Sequence, residues 1–296
     1  MEKIKKSSPD SDIWPKILET ADKYNYEMTL AALLMVQSAI KKIDKTKWIS
    51  ALKSKDVTKI ENLIDNITFN GKKMNIVSKK LANDIFGVIE REYNFGVDVK
   101  KLAIDKYIDE HVAELVKQVS TKCQLDVKNV IRDGWNKEIP PEKLYTRIKE
   151  VVPLDKQRIQ SYLKYEHQLI NDKNLSARFP KTPEGAKAWQ KEIARLMQIK
   201  HQKLLLDRGR TIGRTECINL ANEGSRQMYE AAAKQNKELK DNYELEWVVT
   251  PDDRLCDNCR IMNRERCSFN GTFKNGSRRP TLHPRCRCCI VCVPKR

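Results

Sequence analysis

Seven of the chain's nine cysteines lie between Cys256 and Cys292, and two groups of them have the spacing of metal donors. Cys256-Asp257-Asn258-Cys259 is a C-x-x-C knuckle, a loop in which two thiolates can face one ion while backbone amides support the sulfurs. His283-Pro284-Arg285-Cys286-Arg287-Cys288 adds an H-x-x-C-x-C run beyond a loop rich in Arg and Gly. Donor pairs from two chain segments fill a tetrahedron readily, so the pattern predicts one structural zinc ion. Five donors compete for four positions. Cys256, Cys259, His283 and Cys286, the set the spacing favours, would supply three thiolates and an imidazole; Cys286 with Cys288 would make the site all-thiolate and leave His283 beside it. Cys267, Cys289 and Cys292 lack such partner spacing and read as packing residues of a small core. Cys123 and Cys217 stand alone and read as small buried hydrophobes.

Catalytic zinc needs an open coordination position and a nearby acid or base. A nucleobase deaminase would pair H-x-E or C-x-E with P-C-x-x-C, but Pro284 and Arg285 follow His283, and Leu255 precedes the knuckle. A ββα-metal nuclease would want further His or Asn residues near His283. The other histidines, His111, His167 and His201, are scattered over helical stretches and read as surface or capping residues. The expectation is a protein that is not an enzyme.

A thin apolar complement after Thr250 makes the metal necessary, because a reducing cytosol opposes disulfides. Residues 1–10 are polar and lysine-rich, unlike a secretory signal, and the apolar run Met28 to Ile40 is too short to span a bilayer. A cytoplasmic origin and no membrane partner are therefore expected. The chain carries 57 Lys and Arg against 40 Asp and Glu, a net charge of +17, which favours contact with an anionic partner such as nucleic acid. Arg278, Arg279, Arg285 and Arg287 in the cysteine-rich region are candidate DNA contacts.

The elements that must position these donors are mostly helical. With 33% charged residues but only 10 Gly and 11 Pro, the composition suits helices better than a β-sandwich. Apolar spacings of three and four predict helices from Pro15 to about Ile40, Ser50 to Ile64, and Asn75 to Glu92. A long helix follows over Val97 to Val119, then a short one through Val130 that stops near Gly134. Further helices start at Pro140 and Leu154, a polar loop covers Asn171 to Gly185, and a long helical region runs to Lys237 with a bend at Gly209 or Gly213. Glu244 to Val249 is the first credible strand. The expected fold is mainly α, an elongated helical body followed by a small C-terminal zinc-binding α+β or β module. The expected divisions are 1–96, 97–242 and 243–296.

An ordered series of blocks resembles the Mu F-like minor head, or head morphogenesis, proteins of tailed bacteriophages. Val151-Val152-Pro153-Leu154-Asp155-Lys156-Gln157-Arg158 is similar to a helix start of that family. Arg208 to Glu216 resembles its RA-x-T-I-A-R-T-E block, continued by Ala221-Asn222-Glu223-Gly224. Trp247 to Cys256, leading into the knuckle, and the H-P-x-C-R-C run resemble its terminal blocks. The resemblance covers about residues 100 to 296. It marks Arg214, Thr215, Glu216, Asn222, Trp247 and Asp253 as motif residues, and Arg214 and Glu216, a charged pair at a helix bend, read as a buried structural ion pair or a link to the adjacent module. It implies a minor capsid protein of the virion head near the portal vertex, present in the host cytoplasm during assembly and acting in DNA packaging or delivery. The implied partners are the portal protein, the major capsid or scaffolding protein, and packaged DNA bound without sequence preference. The other reading of the same basic module is a free cytoplasmic zinc-dependent nucleic-acid-binding protein.

Overall fold

The computed structural model describes residues 13–96, 104–250 and 255–296. Asp253 and Arg254 fall outside the described residues, as does the start of the helix expected from Val97. The elements are α1 (Ile13–Ser38), a 3-10 turn (Ile40–Lys42), α2 (Lys45–Ser54), α3 (Val57–Asp65), α4 (Lys72–Tyr93), α5 (Ile104–Asn136), α6 (Pro141–Val151), α7 (Lys156–Ile170), α8 (Lys173–Ser176), α9 (Pro183–Gln235), α10 (Lys237–Asn242), β1 (Tyr243–Val248), α11 (Asp257–Arg260), β2 (Arg266–Cys267) and β3 (Cys289–Pro294). The fold is mainly α with a small C-terminal sheet, as the sequence predicts. Among the described residues, no helix is long and apolar enough to cross a membrane. Contacts group the chain into two compact units, each assembled from separated stretches.

One unit comprises Leu33–Gly71 and Ala113–Gly209. Here the helix expected over 50–64 is two helices. Asp44 caps α2 by accepting from the Lys47 amide, Lys55 turns left-handed at φ 51°, and Asp56 starts α3 by accepting from Lys59. Each such cap is worth about 1 kcal/mol, enough to divide a run that periodicity alone would join. Conversely, the two helices expected between 97 and 134 form the single α5. Gly134 does not stop it: a Cβ there would lie 2.6 Å from Leu144 Cδ1, so the glycine admits the fully buried Leu144 of α6. Trp48, Leu52, Ile64, Ile148, Val151 and Tyr162 are buried in this unit. Cys123 is buried as expected, its thiol donating to the Val152 carbonyl at 3.2 Å.

The other unit contains the described part of Met1–Ala32, Lys72–Val112 and Arg210–Arg296. α9 runs through Gly209 and Gly213 as one unbroken helix. The close approach of α1 explains Gly213, because a Cβ there would sit 2.7 Å from the Thr29 amide nitrogen. The sheet has the order β2-β1-β3, all antiparallel, with Leu245 opposite both Cys267 and Cys292. The faces of β1 alternate in chemistry: Leu245 and Trp247 are fully buried, and on the other face Glu244 and the likewise buried Glu246 hold Arg266 at 2.9 and 2.6 Å. Cys289, Val291 and Val293 of β3 form a core cluster with Val248 and Trp14. Cys217, Cys267, Cys289 and Cys292 are all buried.

Candidate metal centre

The knuckle is built by one helical turn. Cys256 precedes α11, and its carbonyl accepts from the amides of Cys259 and Arg260 at 3.2 and 2.9 Å, which turns both thiols to one side. A second turn, closed by the Cys286 amide on the His283 carbonyl at 3.1 Å, presents the other donors. Within it Arg285 is left-handed at φ 64° and is anchored by its amide on Thr215 Oγ1 at 3.1 Å. His283 Nδ1 lies 2.8 Å from the Pro284 carbonyl, which can only accept, so Nδ1 carries the proton and Nε2 offers its lone pair.

Nε2 of His283 is 3.2 Å from both Cys256 Sγ and Cys259 Sγ, and Cys259 Sγ is 3.7 Å from Cys286 Sγ. Two thiolates at about 2.3 Å from a tetrahedral ion are about 3.8 Å apart, so the Cys259–Cys286 edge already has the required length. The donors form two groups able to hold a metal ion, Cys256 with Cys259 and His283, and Cys259 with Cys286 and Cys288. All five line one cavity of about 20 Å³, room for a single ion, together with Thr250, Leu255, Arg285 and Arg287. The soft, sulfur-rich donor set and the cavity size fit zinc.

Charge in the cluster is unevenly shared. The Cys288 thiol donates to Cys286 and, with the backbone amides of Cys288 and Leu282, lowers Cys286 to about 5 despite burial. Burial, the Cys286 charge and the Cys256 contact push Cys259 up to about 12. The bond to Cys286, with burial, also raises Cys288. At Cys256 burial works upwards, but the amide and thiol of Cys259 and the neighbouring His283 hold it below its ordinary value. Three thiols thus donate to or repel one another where a divalent cation would replace their protons.

The site is pinned to α9 by residues that sequence reasoning identified in part. Asn222, fully buried, donates to the Cys288 carbonyl at 3.0 Å and accepts from the Ile290 amide at 3.1 Å, pairing with β3 as a strand would. Thr215 holds Arg285, and Trp247 packs edge-on against Phe273 with centroids 5.1 Å apart. The expected Arg214–Glu216 pair does not form. Arg214 is exposed, and Glu216 instead contacts His111 of α5, Oε2 to Nε2 at 2.6 Å. His111 therefore belongs to a part-buried polar network and is not a capping residue. His201 likewise reaches the Glu150 carbonyl at 2.8 Å, while His167 sits in the last turn of α7.

Among the candidate DNA contacts, Arg279 is engaged inside the fold, bonded to Glu223, Asn219 and Tyr107. Its guanidinium is therefore committed to protein partners. Arg278 keeps 60% of its side chain exposed while pairing with Glu230 at 2.6 Å, and Arg285 donates to Thr211 at 2.7 Å.

Sequence reasoning missed Arg226. It is 1% exposed, pairs with Glu230 at 2.6 Å, and donates to the carbonyls of Phe269 and Gly271 at 2.6 and 2.7 Å and to that of Arg278. A signal was available: Asn219, Asn222, Glu223, Arg226 and Glu230 recur at helical spacing, a polar stripe on a stretch otherwise apolar enough to be buried.

A long helix clasped to a small sheet by buried polar side chains, with a Cys/His cluster able to hold a metal ion at the junction, defines a helix-anchored knuckle module. Residues 181–291, from just before α9 into β3, match the family described as Phage Mu protein F like protein. This bears out the resemblance over that span: the chain carries the segment of the Mu F-like phage head protein family. No curated protein and no solved structure matches the chain.

Proposed function

We propose that the protein is a minor capsid protein that associates with the portal during prohead assembly and acts in DNA packaging or delivery. The match over residues 181–291 carries this reading. On it, the module holds one structural zinc ion and has no catalytic role. Five protein donors around a cavity of about 20 Å³ support that part, because they can close a tetrahedral site without a solvent ligand.

Packaged DNA would be met weakly, without sequence preference and with strong salt dependence, as expected of scattered lysines and arginines. The reading as a free nucleic-acid-binding zinc protein is less well supported, since Arg279 is internal and Arg278 and Arg285 have protein partners. The test is assembly of proheads with the full chain or with residues 243–296 alone. The full chain should copurify with portal and appear as density at the portal vertex, and the fragment should be excluded. Incorporation of the fragment, or full-length chain that shifts DNA tightly and ignores portal, would overturn the proposal.

A further inference from the structure

The metal centre has one donor more than a tetrahedral ion uses, and the surplus is distributed in a particular way. Cys259 and Cys286 are buried between two competitors. On the outer side, half-buried His283 aims Nε2 at Cys256 and Cys259, with Cys256 itself half-buried. On the inner side, Cys288 is 2% exposed and grouped with Cys259 and Cys286. We infer that the site is a ligand-exchange centre in which Cys256, Cys259 and Cys286 hold the ion permanently while His283 and Cys288 alternate in the fourth position. This rests on the metal-binding reading above.

Both alternatives are chemically balanced. A divalent ion with three thiolates and a neutral imidazole carries one negative charge, and with four thiolates two. Arg285 and Arg287 line the same cavity, so either charge has nearby compensation, and no cation has to be moved to change from one to the other. Exchange transfers no electrons. As Cys288 binds, its proton leaves to solvent or to the displaced imidazole, which remains hydrogen-bonded to Pro284 through Nδ1.

The two competitors are tied to α9 through different residues, and this gives the exchange a structural consequence. The turn carrying His283 is anchored by Arg285 on Thr211 and Thr215. Cys288 is anchored through its carbonyl on Asn222. With imidazole bound, the metal fastens the surface turn His283–Cys286 at both ends. With Cys288 bound, it fastens the start of β3, and the turn keeps Cys286 and its threonine contacts while its His283 end is let go. The centre can therefore free the His283 end of a surface turn without releasing the ion.

The test uses Co²⁺ as the probe, titrated into the metal-free full chain, because its d–d and thiolate-to-metal bands report geometry and the number of bound sulfurs. His283→Ala should still bind one tetrahedral Co²⁺ within about tenfold of the parent affinity, with the charge-transfer intensity of four thiolates. Cys288→Ala should do the same with that of three thiolates and one nitrogen. The double variant should lose at least about a hundredfold. Failure of either single variant to bind tetrahedrally, with helix content intact, overturns the exchange by showing that donor to be obligatory. If His283→Ala does not fold, His283→Gln replaces it: a tetrahedral four-thiolate spectrum is expected from the recruited Cys288, and an octahedral spectrum or one with only three sulfurs counts against the inference. Parental protein that binds no Co²⁺ or Zn²⁺ would instead sink the metal-binding reading itself.

Discussion

The side-chain amide of Asn222 donates to the backbone carbonyl of Cys288 at 3.0 Å in a position with no solvent access. The same amide's oxygen receives the Ile290 amide, so one helical side chain supplies both hydrogen bonds that the inner edge of β3 would otherwise lack. Asn222→Leu leaves a buried donor and a buried acceptor unmade, at a cost of about 3 kcal/mol. Asn222→Asp should be no milder, because it keeps the acceptor for Ile290 but turns a buried charge towards the Cys288 carbonyl. Urea unfolding followed by tryptophan fluorescence would show both losses as lower midpoints. A midpoint unchanged in Asn222→Leu would mean that the contact does not hold β3.

How much of this was legible in the sequence depended on whether the interaction was local. The cluster of five Cys and His side chains is legible because their spacing is local and their chemistry uncommon, and β1 because alternation and β-forming residues coincide from Glu244. Asn222 was recognisable only as a motif residue, since its partner lies 66 positions away. Gly213 is a related case. Glycine reads locally as a flexible point, whereas here it makes room for the α1 backbone. Lys55 and Asp56 divide a helix without any Gly or Pro to announce it, and the His111–Glu216 contact joins residues 105 apart, beyond what periodicity encodes.

Arg226 of α9 should be the clamp that holds the loop following β2. Its guanidinium satisfies three backbone carbonyls and pairs with Glu230, so its removal orphans several buried groups at once. Arg226→Met preserves much of the volume and should still destabilise by about 3–5 kcal/mol, the range for breaking a buried ion pair from one side. Limited proteolysis should then cut within 268–279 before any helix is lost. Cleavage at parental rates would refute the clamp.

Glu150 gives a pH-dependent prediction for the other unit. Burial pushes its carboxyl above the ordinary range, with Glu166 adding to the rise and Tyr162, His201 and Arg147 opposing it. A carboxyl raised on folding contributes stability that is complete below the unfolded value, near about 4.3, and lost as pH rises through the folded value. At neutral pH the ionised group therefore weakens the fold. Glu150→Gln keeps an acceptor for the Tyr162 hydroxyl without the charge, so its melting temperature should exceed the parent's at about pH 7. The difference should vanish near about pH 4. A difference that persists at low pH would assign the effect to packing.

Metal removal should separate the sheet module from the helices. The module's apolar core is small, chiefly Leu245, Trp247, Phe273 and the β3 cluster, and much of the remaining chain after 255 is turn and loop. Structural zinc contributes on the order of 10 kcal/mol in small peptides, more than such a core can replace. Elemental analysis of protein purified without chelator should give about one zinc per chain. Adding a strong chelator should shift Trp247 fluorescence towards that of exposed indole and leave most far-ultraviolet helix signal in place. Cys256→Ser should reproduce the chelator effect, because Cys256 is one of the three thiolates assigned a permanent place on the ion. Cys267→Ser should change little, since that thiol lies in β2 beside Arg226 at 3.9 Å and outside both donor groups. Zinc-free protein in which Cys256→Ser melts like the parent would show that β3 and the α9 clasp hold the module without metal.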